Sequence, residues 1–175
     1  MLARLAHTEF GLNRLWTQIA LESRAAAGTL SHEGFFKSSA ELVGWGYWFT
    51  SPSSPMLLHA AMLAGWNQNA RPLKQALEQL GDESIGPWDA LKLVAGFLPR
   101  AYREIVLPEQ RAAVTASVLK HLADRLNGME GVKTLLSVLG RTSPSQMGLY
   151  GDLAKEMFRV TQEWVANRER RLVVL

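Results

Sequence analysis

At 175 residues and without a single cysteine, the chain excludes disulfides, thiolate metal centres and a cysteine nucleophile. Its apolar fraction of 47% and charged fraction of 20% are those of an ordinary globule, not of a disordered or fibrous chain. The net charge of +3 is too small to demonstrate a nucleic-acid partner, although residues 71–175 carry all of the excess, with fifteen basic against twelve acidic side chains. A chain of this length is expected to form one domain, 1–175, that buries about 70% of its unfolded surface. The opening residues lack the apolar core of a signal peptide, so a cytoplasmic location is expected.

The first apolar positions, Leu5, Leu12, Leu15, Trp16, Ile19 and Leu21, fall mainly at helical spacing, and Gly28 supplies a stop. Ser31 is placed to cap a second helix that carries Phe35, Phe36, Ala40 and Val43 inward. That helix runs into the most distinctive stretch of the chain. From Leu42 to Ala70, 29 residues pass without one Asp, Glu, Lys or Arg. A spanning helix needs roughly 20 apolar residues in a row, and Pro52 and Pro55 split this stretch into two shorter arms. The reading is therefore a buried helical hairpin, not a membrane span, with Trp45, Tyr47, Trp48, Phe49 and Trp66 expected to supply much of its buried area.

Proline and glycine punctuate the remainder. Ser54-Pro55 opens the second arm, and Pro72 begins a short helix with Leu73, Ala76, Leu77 and Leu80 on one side, closed by Gly81. Gly86-Pro87 opens the next, with Trp88, Leu91, Val94, Ala95 and Leu98 expected inward and Pro99 expected to kink or end it. Pro108 starts a helix with Val114, Val118, Leu122 and Leu126 every four residues, stopped at Asn127-Gly128. A short helix carrying Val132, Leu135, Leu136 and Leu139 follows. Ser143-Pro144 opens the last and longest, with Met147, Tyr150, Leu153, Ala154, Met157, Val160 and Trp164 on one side. No segment shows the alternation of a half-buried strand. The expected fold is all-α: a single compact bundle of about seven or eight helices of unequal length around the aromatic-rich hairpin.

Chemistry is hard to place on this pattern. The histidines, His7, His32, His59 and His121, form no His-x-x-x-His or Glu-x-x-His pair, so no metal site is expected. His59, within the uncharged stretch, reads as a neutral core histidine bonded to a carbonyl or a serine. Gly44-Trp-Gly46 lacks the third glycine and the preceding strand of a dinucleotide loop, and reads as bulky neighbours packed on bare backbone. No nucleophile elbow is present. No catalytic residue and no cofactor are expected.

Two features rise above this background. Arg100, Arg103, Arg111, Lys120, Arg125, Lys133 and Arg141 gather seven cations that would follow a phosphate backbone without reading bases. Leu172, Val173, Val174 and Leu175 form an apolar end suited either to folding back on the helices or to docking on a partner. The first expectation for function is a non-enzymatic all-α subunit or adaptor, acting by protein–protein interaction in a larger assembly. The alternative is an all-α nucleic-acid-binding subunit that contacts backbone phosphates, for example a small helical subunit of a ribonucleoprotein effector complex. An aromatic pocket holding a ligand is a weaker third reading.

Overall fold

The computed structural model describes residues 17–47, 52–82, 84–123, 130, 131, 133–135, 137 and 147–172. Seven helices are delimited among them: α1 (Thr17–Ala26), α2 (His32–Gly44), α3 (Ser54–Leu63), α4 (Arg71–Leu80), α5 (Pro87–Glu104), α6 (Pro108–Ala123) and α7 (Met147–Leu172). Residues 130, 131, 133–135 and 137 are also helical, and there is no strand among the described residues. The protein is all-α. None of these helices is long and apolar enough to cross a membrane.

Local sequence explains most of the helix ends. Ser31 and Ser53 sit in extended conformation before α2 and α3, and their hydroxyls accept from Gly34 N at 3.0 Å and Met56 N at 3.3 Å. The second arm therefore begins one residue earlier than Ser54-Pro55 suggests, with Pro55 inside the first turn. Gly28 and Gly46 end α1 and α2 at φ of 71° and 86°, a conformation that costs a side-chain-bearing residue energy. Each of these ends satisfies its last carbonyls in the same way. The glycine N–H and the next N–H reach back to Ala25 and Arg24 in α1, and to Val43 and Leu42 in α2. Trp66 departs from the rule. It holds φ of 61° without being glycine, and its ring is packed partly buried against the core.

The core joins the helices through small and aliphatic side chains. α4 packs on α2, α3 and α6; α5 packs on α3, α6 and α7; α6 and α7 also pack together, and α1 lies on α2. Leu73, Ala76, Leu77 and Leu80 of α4 are buried as their spacing predicts. So are Val114, Val118 and Leu122 of α6, Leu135, and Leu153, Met157 and Val160 of α7. Ala154 is half-buried. Leu5, Gly11, Leu12, Leu15, Trp16, Leu126, Asn127, Gly128, Val132, Leu136, Leu139, Ser143 and Pro144 lie outside the described residues, as do the side chains of Met147, Tyr150 and Trp164.

Three points depart from a simple reading of the pattern. The hairpin of α2 and α3 is present, but it is not aromatic at its centre. It buries Ala40, Leu42, Val43, Met56, Leu57, Ala60 and Ala61, whereas Trp45 is 76% exposed and Tyr47 is also at the surface. The glycine turn after α2 is the cause. Trp45 occupies the helix cap, two positions beyond Val43 of the buried stripe, and is exposed. Trp48 and Phe49 lie outside the described residues. Second, of the two outcomes expected at Pro99, a kink or an end, the end does not occur, and α5 continues to Glu104. A proline costs the bond to the carbonyl four residues back, about 3 kcal/mol in an isolated helix. Here Phe97, Leu98, Ala101 and Ile105 are all buried across that point, and their packing holds the helix together. Third, Ile19 is exposed on α1 while its neighbour Gln18 is buried, donating to Glu22 Oε1 at 3.3 Å and lying against Ser39 of α2.

Candidate functional site

The surface that gathers the most chemistry is the outer face of α5. Gly86 caps this helix, Pro87 takes its first position, and Asp89 places a carboxylate against the positive end of the helix dipole. Ala90, Leu91, Leu93, Val94, Phe97, Leu98 and Ala101 are buried. On the other side lie the exposed Trp88, Lys92, Arg100 and Arg103. At about 1.5 Å per residue this face runs roughly 22 Å. Trp88, expected inward, is 64% exposed. The phase set by Ala90, Val94, Phe97 and Ala101 puts residue 88 nearly opposite the core, and the sequence carried that signal. Lys92 Nζ lies 3.4 Å from Asp89 Oδ1, with both side chains largely in solvent, a pairing worth little. Arg100 and Arg103 are exposed and form no ion pair with a described residue.

At the N-terminal half of this face lies a cleft of about 370 Å³. Pro52, Pro55, Ile85 and Leu93 give it apolar walls, and Asp89 and Lys92 supply its charges. It exists because α3 starts directly on α5. Ser54 Oγ donates to Leu93 O at 2.8 Å, and Gly96 leaves room for the contact. Both serine hydroxyls of the cleft are engaged, Ser53 as an acceptor at its own helix cap and Ser54 as a donor to α5. Neither has an imidazole or amine of a described residue bonded to it that would activate it as a nucleophile.

Arg111 is turned inward: its Nε donates to Ile105 O at 2.6 Å, and its guanidinium lies 4.8 Å from the Tyr102 ring centroid. Burial pushes the Tyr102 hydroxyl above the ordinary tyrosine range. The Arg111 charge opposes that shift, and Asp152 and Glu156 of α7 add to it. Lys120 is exposed on α6, and Lys133 pairs with Glu130 at 3.5 Å. Arg125 and Arg141 lie outside the described residues. Leu172 ends α7, and its side chain, with Val173, Val174 and Leu175, also lies outside them.

His59 is half-buried on α3 and makes no hydrogen bond to a described residue, against the expectation of a carbonyl or serine partner. His121 holds the bond of that kind, its Nδ1 lying 2.8 Å from Ser117 O. Among the described residues no group of three or more His, Asp or Glu side chains is placed to hold a metal ion. Gly44 lies beside the Pro72 ring, but a methyl there would stand 3.4 Å from Cγ, an ordinary contact, so the packing does not demand bare backbone; Gly46 serves the turn. Sequence reasoning missed one further apolar feature, Val106 and Leu107 between α5 and α6, which are 81% and 52% exposed. No protein-family model, curated protein or solved structure matches the chain.

Proposed function

We propose that the protein is a non-enzymatic helical subunit or adaptor that works by binding other proteins. The observation that supports this reading is the exposure of two tryptophans, Trp45 at 76% and Trp88 at 64%, on a molecule whose described core is mainly aliphatic, with Phe97 its fully buried aromatic ring. A tryptophan left in water forgoes the burial that folding would give it, and tryptophan is the residue most enriched among binding hot spots. Val106 and Leu107 add apolar surface between α5 and α6. The test is isolation of the native protein from its own cells under mild conditions. Recovery in a complex of defined stoichiometry, weakened by Trp45→Ala or Trp88→Ala with helical content unchanged, is expected. Recovery of the chain alone at every concentration rejects the reading.

A second reading is favoured by one observation. Arg100 and Arg103 share the exposed face of α5 without a carboxylate partner among the described residues, as a track for backbone phosphates requires. On this reading, affinity for single- or double-stranded nucleic acid falls linearly with salt on logarithmic axes, and each cation removed lowers the slope by about one. Charge reversal at Arg100, Arg103 and Lys120 that leaves affinity and slope unchanged rejects it.

A further inference from the structure

Trp45 is exposed, yet the turn that carries it is tied to two other helices. α2 ends at Gly44, and the last carbonyls of a helix have no partner within it. The backbone supplies several here: Trp45 N donates to Glu41 O, Gly46 N to Val43 O and Tyr47 N to Leu42 O. α4 adds two glutamines four positions apart, which share a helix face. In the amide orientation that gives both of its polar atoms partners, Gln75 Nε2 donates to Gly44 O at 2.8 Å and to Val43 O at 2.6 Å. Gln79 Nε2 donates to Tyr47 O at 2.9 Å. From α1, Thr17 Oγ1 lies 3.4 Å from the Tyr47 hydroxyl. Resting on the reading of Trp45 as a protein-binding anchor, we propose that Gln75 and Gln79 are positioning residues that fix the turn from Val43 to Tyr47 and so hold the Trp45 indole ready for a partner protein.

Burial makes the choice of glutamine informative. Gln79 is 5% exposed, in a stretch where Ala76, Leu77 and Leu80 are also buried. A buried amide is costly unless its hydrogen bonds are made, so its place among aliphatic neighbours points to the carbonyl it serves. That carbonyl lies two residues beyond Trp45, and Gln75 reaches those one and two residues before it. The indole is thus bracketed by fixed backbone while its own residue stays largely in solvent. Gly44 and Gly46 put no side chain beside it in sequence. Ordering a loop and its side chains at an interface weakens binding, and a tryptophan whose backbone is already ordered avoids much of that loss.

The test combines Gln75→Met and Gln79→Met in the full chain, since methionine keeps the length of the side chain and removes the donor. Nitrogen relaxation of the Trp45 indole, assigned by its loss in Trp45→Phe, reports on the turn, as does hydrogen exchange at the Trp45, Gly46 and Tyr47 amides. Indole motion and amide exchange should both increase in the double variant, while the amides of α5 stay protected. The complex that the wild-type chain forms in its own cells supplies the partner for a second readout. Affinity for that partner should fall roughly tenfold in the double variant. In a Trp45→Ala background the methionine changes should have no further effect, because they act through the indole. A merely structural role gives the same loss with or without Trp45. Gln75→Met alone, at a half-buried position, should move both readouts in the same direction and serves if the buried change unfolds the chain. An unchanged turn, an unchanged affinity, or a loss that persists without Trp45 overturns the proposal and leaves the subunit reading standing. A wild-type chain recovered alone at every concentration overturns both.

Discussion

Gly96 of α5 lies directly against Ser54 in the first turn of α3: a methyl group built on Gly96 would stand 2.5 Å from Ser54 Oγ and 3.0 Å from its Cβ. The same hydroxyl donates to Leu93 O at 2.8 Å, so the two helices meet at a point where no side chain fits between them. This contact fixes the start of α3 on α5 and thereby shapes the cleft.

Gly96→Ala sets two effects against each other. Within a helix, Ala is favoured over Gly by about 1 kcal/mol. The added methyl, however, must displace Ser54 or separate the helices, and overpacking of this kind costs roughly 1–3 kcal/mol. Because the neighbouring atoms belong to a short side chain already committed to Leu93, the steric effect should dominate. Net destabilisation in urea unfolding is expected. Adding Ser54→Gly should recover most of it, since that change removes both offending atoms. Additive losses in the double variant would mean that the contact is not the cause.

The exposure of Trp45 inverts the stability pattern expected from an aromatic hub. Trp45→Ala should change unfolding free energy by no more than about 0.5 kcal/mol, as surface substitutions do. Phe97, the largest of the fully buried side chains, should cost about 3–5 kcal/mol on replacement by Ala. Thermal or chemical denaturation of the two variants side by side decides the matter, and comparable losses would restore the hub.

How much of this was legible depends on which interaction sets each feature. Helix positions were readable wherever the cue was local, as at the Ser31 cap, Gly28, Gly86-Pro87 and Pro108, because those residues act on the backbone within a turn. Apolar stripes were readable where the phase was unambiguous, as in α4. That Pro99 would not end α5 was not readable, because its local penalty is offset by Phe97, Leu98, Ala101 and Ile105, whose neighbours lie far away in sequence. Trp45 and Trp88 were misjudged for a different reason: hydrophobicity was allowed to stand for burial, although the position of each on its helix already argued against it. The closeness of α3 and α5 at Ser54 and Gly96 had no sequence signal of its own, and neither did the cleft that it creates.

The arginines separate into two classes that mutation should resolve. Arg111 spans from α6 to the Ile105 carbonyl and lies over Tyr102, so its removal leaves that carbonyl and the ring without their partner. A hydrogen bond from a charged donor contributes about 1.5–3 kcal/mol, and Arg111→Ala should destabilise by a value in that range. Arg100→Ala and Arg103→Ala, which remove exposed side chains, should leave stability within about 0.5 kcal/mol of wild type. Equal effects at all three positions in denaturant melts would contradict the distinct role given to Arg111.

Tyr102 ties this corner of the molecule to alkaline pH. Burial is the largest cause raising its ionisation above the ordinary value of 10.0; Asp152 and Glu156 add to it, and Arg111 works against it. The folded protein therefore holds the phenol proton more tightly than the unfolded chain does. Below pH 10 both states are protonated, and the contribution of Tyr102 to stability is fully present. Above pH 10 the unfolded chain loses its proton first, so unfolding is increasingly favoured, and the contribution disappears as pH rises through the folded-state value. Unfolding measured between pH 9 and pH 12 should show a decline that Tyr102→Phe reduces, since phenylalanine cannot ionise. Ultraviolet titration of tyrosinate in the native protein should show one tyrosine ionising late, absent from the Tyr102→Phe variant. Removing the opposing charge with Arg111→Gln should delay that ionisation further. An Arg111→Gln variant in which Tyr102 ionised earlier would contradict the assigned direction of the guanidinium's effect.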